Sequence, residues 1–115
     1  MMLLNNVLHW ISLGMIFFYA IACLVRPRFV APKMGQVLTT GRGVSEFRIL
    51  HGGFFLGTAL FTLYANHPLV NQAFGWSLIG AGLVRIAAIP VDRPPIPLSL
   101  MGAVTEIVLG VFMLL

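Results

Sequence analysis

LLNNVLHWISLGMIFFYAIACLVRPR, residues 3–28, decides the fold: no Lys, Arg, Asp or Glu interrupts it until Arg26, and Arg26-Pro27-Arg28 closes it. Crossing the hydrocarbon core of a bilayer takes roughly 17 to 25 apolar residues in a helix. Proline and charge together end such a helix. The stretch therefore predicts a membrane span over about residues 3–25. Three more apolar runs follow, at about 47–64, 70–89 and 98–115. The second opens with Ser45 as expected N-cap and Glu46 in the first turn, where a negative charge complements the helix dipole. Asn66-His67-Pro68 turns the chain between the second and third runs. Pro90-Val91-Asp92-Arg93-Pro94-Pro95-Ile96-Pro97 links the third to the fourth, and its prolines predict a stiff extended connector.

The bulk composition agrees. Of 115 residues, 59% are hydrophobic and 9% charged, and the mean hydropathy is +0.98. A soluble chain this short cannot hide so much apolar side chain, because small domains bury only part of their surface. The expectation is an all-α integral membrane four-helix bundle, one domain over residues 1–115. Phe29, Val30, Met34, Val37 and Leu38, mixed with Arg28 and Lys33, suggest that part of the first connection lies along the membrane surface. The N-terminal run has no basic leader and no small-x-small site before a polar region, which argues against a removable signal peptide.

Arg26, Arg28, Lys33, Arg42 and Arg48 lie in or beside the first connection, and Arg85 and Arg93 in or beside the third. With four spans these connections share a side, which the positive-inside rule assigns to the cytoplasm. Both termini are then non-cytoplasmic, in a multi-pass protein of a cytoplasmic membrane. Trp10 and Trp76 fall towards the opposite half, as an aromatic belt would. The formal charge of +4 does not indicate nucleic acid, since the basic residues line no helix face with interleaved aromatics. Cys23 is the only cysteine, so neither an intrachain disulfide nor a cysteine metal cage can form. No metal-ligand spacing, nucleotide fingerprint or catalytic triad is visible, so no catalytic residue is assigned.

Ionisable groups within spans cost about 2.5–3.5 kcal/mol at the bilayer centre and need partners. Glu106 falls about 12 Å into the fourth span at about 1.5 Å per residue. Gly102 and Gly110 flank it at i−4 and i+4, so one face reads small, acid, small and lets a neighbouring backbone approach. Arg85, roughly 6 Å from the end of the third span, is its natural partner. In the second span Glu46, Leu50, Gly53 and Gly57 share an α-helical face, and Gly53 and Gly57 form a GxxxG packing motif. His51 follows Arg48 at i+3. The five polar groups Glu46, Arg48, His51, Arg85 and Glu106 thus all fall in the cytoplasmic half, as a binding or structural cluster.

Residues 45–57, SEFRILHGGFFLG, resemble the E-x-R-x-x-x-G-G-x-x-x-G signature of a bacterial four-helix membrane family catalogued as domain of unknown function 4345. Here it is carried by Glu46, Arg48, Gly52, Gly53 and Gly57. Arg26-Pro27 with Phe29, Arg85, Asp92 with Pro94-Pro95, and Glu106 extend the likeness over essentially the whole chain. The glycine-rich second helix is also distantly similar to DoxX-type four-helix proteins, for which redox and quinone-linked roles are implied. The chain departs from the pattern at His51, where the resemblance implies an aromatic residue. The family carries no established reaction and leaves the cofactor unknown, but it implies a bacterial inner membrane. Two functional expectations follow. The first is an accessory or scaffold subunit packing within a membrane complex or homo-oligomer. The second is a lipid-, quinone- or proton-binding module built on the Glu/Arg/His cluster.

Overall fold

The computed structural model describes residues 1–115, almost all of them helical, with no β-strand. In chain order the elements are α1 (Met2–Val25), α2 (Pro27–Val30), a 3-10 turn (Ala31–Met34), α3 (Gly41–Phe47), a π-helical segment (Arg48–Gly53), α4 (Phe54–Ala65), α5 (Pro68–Asp92) and α6 (Ile96–Leu114). α1, α5 and α6 are each long and apolar enough to cross a membrane. Their exteriors are apolar as well, with Phe18 76% and Val84 68% exposed. In water such a surface would be one large sticky patch, so lipid is the solvent that this exterior suits.

α1 ends where Arg26-Pro27 ends it. Two other boundaries differ from the sequence reading. The helix leading into the second apolar run starts at Gly41 rather than near Phe47, and its N-cap is Thr40, whose hydroxyl accepts from the Gly43 N–H at 2.9 Å. Ser45 lies inside that helix. The proline-rich connector is also shorter than expected: α5 continues through Pro90 to Asp92, and α6 resumes at Ile96. Pro90 has no N–H for the Ile86 carbonyl, and the helix runs only two residues beyond it. Arg93 then closes the helix in the left-handed region (φ 51°, ψ 48°) with its N–H on the Ile89 carbonyl.

The chain divides into two compact units. One comprises Met1–Ser12 and Ala65–Leu115. Within it α5 and α6 pack antiparallel on small residues. A Cβ placed on Gly75 would lie 2.8 Å from the Gly110 carbonyl oxygen, and one on Gly110 would lie 2.7 Å from the Gly75 carbonyl oxygen. One on Gly82 would lie 2.9 Å from the Ala103 carbonyl oxygen. The two backbones touch because no side chain separates them, as expected where lipid supplies no hydrophobic drive between helices. Ser12, fully buried, donates to the Leu109 carbonyl at 2.8 Å.

The other unit is Leu13–Tyr64. Its part of α1 buries Leu13, Ile16, Ala20 and Cys23, one stripe at helical spacing. Cys23, Ala31 and Phe47 form a small core against which Tyr19, Val30, Met34 and Leu38 pack. α3, the π segment and α4 abut without interruption from Gly41 to Ala65.

Candidate functional site

Sequence reasoning groups Glu46, Arg48, His51, Arg85 and Glu106. The structure joins Arg85 to Glu106 in the first unit, and sets Glu46, Arg48 and His51 on consecutive turns of the second.

Arg85 comes from α5 and Glu106 from α6. Both Nε, at 3.1 Å, and Nη2 of the guanidinium donate to the single oxygen Oε1. The second carboxylate oxygen, Oε2, is buried without a hydrogen-bond partner. The pair therefore lacks the fork-on-fork geometry of the strongest arginine–carboxylate contacts. Gly102 makes the approach possible: a Cβ there would press on Arg85 Cδ at 3.1 Å and Nε at 3.2 Å. With side chains 36% and 22% exposed, the pair ties α5 to α6 beside the glycine seam.

His51 lies at the centre of the second constellation, on the π segment. Its Nδ1 is 2.8 Å from the Tyr19 hydroxyl, and its ring stacks on Phe47 with centroids 4.4 Å apart. The same hydroxyl donates to the Met34 sulfur at 3.1 Å, and the Tyr19 ring meets Phe55 edge-on at 5.7 Å. A phenol has one proton. If that proton points to the sulfur, His51 must carry its own on Nδ1 and donate to the phenol oxygen. The contact orients the imidazole plane, and which partner donates in it depends on the ring tautomer. Glycine creates the room: a Cβ on Gly52 would lie 2.6 Å from Leu24 Cγ and 3.3 Å from the Leu24 nitrogen. π turns recur at functional positions because they re-aim side chains at the cost of backbone hydrogen bonding.

Glu46 and Arg48 are exposed and form no ion pair. Of the packing glycines, Gly52, Gly102 and Gly110 contact other parts of the chain, whereas Gly53 and Gly57 are exposed with no other segment beside them. The sequence gives Met34 only a place in the surface-lying first connection and gives Tyr19, Phe47, Gly75 and Gly82 no role. A signal for Tyr19 existed: it is the one hydroxyl-bearing aromatic in the first span, four residues before Cys23 on the same helical face. Hydroxyl, thioether and imidazole together make a small polar cluster whose hydroxyl and ring can exchange a proton, and no group of three His, Cys, Asp or Glu could hold a metal. Comparison of the chain with protein-family models, with curated proteins and with solved structures returns no match.

Proposed function

We propose that the chain is a four-span membrane scaffold that assembles with itself or a membrane complex through the glycine face of its second apolar run. The helical stretch from Gly41 to Ala65 is about 37 Å long at about 1.5 Å per residue, enough for a fourth crossing. All seven basic residues flank the first and third connections. The proposed topology therefore has a cytoplasmic basic side and both termini outside, in a bacterial inner membrane. Membership of the four-helix family that residues 45–57 resemble belongs to the same proposal.

The carrying observation is the contrast between glycines. Gly75, Gly82 and Gly110 are filled by the neighbouring helix, while Gly53 and Gly57 lie open on a stretch with exposed Phe54, Phe61 and Tyr64. Small residues on an uncovered membrane helix are what lets a second helix approach closely. The test is the double variant Gly53→Ile/Gly57→Ile, with oligomeric state read by native mass spectrometry from a mild detergent. Association at least about tenfold weaker, a loss of about 1.4 kcal/mol, is expected, with the single chain still folded. Unchanged association would defeat the scaffold reading. Reporter fusions after Lys33 and Asn66 test the topology, and finding them in one compartment would defeat it.

A second reading, a module that binds a small polar molecule or a proton, is favoured by one observation: the Tyr19–His51 contact on a π turn. A structural role predicts that Tyr19→Phe alters stability alone; a binding role predicts a changed pH response at unchanged stability.

A further inference from the structure

Where α1 ends, Arg26, Arg28 and Arg48 line one cleft of about 330 Å³, walled by Pro27, Phe29 and Val44. The volume sits at the lower end of ligand sites, about 300–1,000 Å³. No carboxylate is in ion-pair contact with any of these three guanidinia. Lys33 adds a fourth cation, its ammonium 4.4 Å from the centroid of the Phe29 ring. Like charges gathered without counter-charge repel, and an anion in the cleft would relieve that repulsion. Arginine presents a planar fork of donors that matches the oxygens of a phosphate two at a time. Buried Pro27 and Val44 give the cleft a fixed floor, while the arginines and Phe29 remain exposed at its mouth.

We infer that this cleft binds a phosphate ester, with Arg26, Arg28 and Arg48 as its ligands. The inference does not depend on the scaffold reading, because it rests on the guanidinia that line the cleft and not on the open glycines. Two sources supply the chemistry: the headgroup of a membrane phospholipid, or a soluble phosphate compound. A lipid headgroup would be met at the level where the first apolar run gives way to charge, and basic pockets at that depth suit anionic headgroups.

The test uses the full chain in mild detergent, with native mass spectrometry reading retention of added phosphatidylglycerol against diacylglycerol, which has similar tails and no phosphate. Phosphatidylglycerol should be retained over diacylglycerol by about tenfold or more. Arg26→Gln/Arg28→Gln should reduce that preference at least about fivefold. Arg42→Gln/Arg93→Gln removes the same charge from exposed positions outside the cleft and should leave the preference unchanged. Arg48→Lys, which keeps the charge and loses the fork, should weaken it. Displacement of the lipid by millimolar inorganic phosphate would support the site and assign it to soluble phosphate; retention against phosphate would assign it to the headgroup. Equal retention of the two lipids would overturn the proposal. So would equal losses in the two double variants, since general electrostatic attraction would then account for the binding.

Discussion

Gly110→Val tests whether the α5–α6 pair is built on direct backbone contact. A Cβ at residue 110 meets the Gly75 carbonyl oxygen at 2.7 Å, Ile79 Cγ1 at 2.7 Å and the Ile79 nitrogen at 3.0 Å. Two of those atoms are backbone and have no rotamer to escape into. Ordinary contact begins at 3.4 Å, so the carbonyl oxygen must recede by 3.4 − 2.7 = 0.7 Å before either valine methyl is accommodated. A radial gap of about 0.5–1 Å forfeits a quarter to a half of the attraction between each facing pair of atoms. Overpacking of this kind costs about 1–3 kcal/mol, and two further methyls push it towards the upper end. Replacing glycine by valine returns only a few tenths of a kcal/mol in helix propensity, leaving a net loss of about 2–3 kcal/mol. The assay is SDS-driven unfolding in mixed micelles, at a dilution where chains are single. Gly57→Val is the control, since its Cβ meets nothing within 4 Å. A Gly110→Val protein within about 0.5 kcal/mol of wild type, the range of inert surface changes, would refute the packing argument.

Two further outcomes are expected. Glu106→Gln leaves the Arg85 charge without its counter-charge and should destabilise by about 1–3 kcal/mol in the same unfolding assay, less than the roughly 3–5 of a fully buried pair because the Arg85 side chain keeps 36% exposure. Adding Arg85→Gln to that variant should recover part of the loss, and a double variant weaker than Glu106→Gln would show that the charge pair is not what is being lost. Tyr19→Phe removes the hydroxyl shared by His51 and Met34 at a cost of about 1 kcal/mol. The ¹⁵N shifts of the His51 ring should move as that contact is lost, and an unchanged spectrum would mean that Tyr19 does not hold the ring.

How far the sequence discloses this fold depends on the kind of signal. Hydrophobic thickness and punctuation are plain: α1 ends at Val25 before Arg26-Pro27, and the break between α4 and α5 falls at Asn66-His67. The Thr40 cap was legible too, but Ser45 beside the apolar run competes with it on composition alone. Pro90 misleads because proline usually ends a helix, whereas α5 runs two residues past it before Arg93 closes the turn. The choice among glycine faces is not legible, for a physical reason. Inside a water-soluble protein, polar residues mark the outer face of a helix; in lipid both faces are apolar, so nothing in the sequence distinguishes Gly52, buried against Leu24, from its exposed neighbour Gly53. The ion pair was accessible because ionised groups in spans are rare enough to seek each other. The His51 cluster was not, since Tyr19 and Met34 each pass for ordinary apolar residues until they are brought to one hydroxyl.

The π segment ties the Tyr19–His51 contact to the open glycine face. One extra residue in a turn rotates everything beyond it by about 100° relative to a continuous α-helix, so the α-helical grouping of Glu46 and Leu50 with Gly53 and Gly57 cannot carry across residues 48–53. What the face of α4 presents is therefore set upstream, by whatever holds the wide turn open. Three contacts do so within Leu13–Tyr64: Gly52 against Leu24, His51 stacked on Phe47, and His51 bonded to Tyr19. π turns sacrifice hydrogen-bond quality and revert to α unless the surroundings compensate. Loosening the Tyr19–His51 contact should then weaken association through Gly53 and Gly57, although no atom of Tyr19 need touch the partner. The Tyr19–Met34–His51 cluster and the proposed assembly face then form one mechanical element, and a proton that altered the His51 contact would be felt at the glycines.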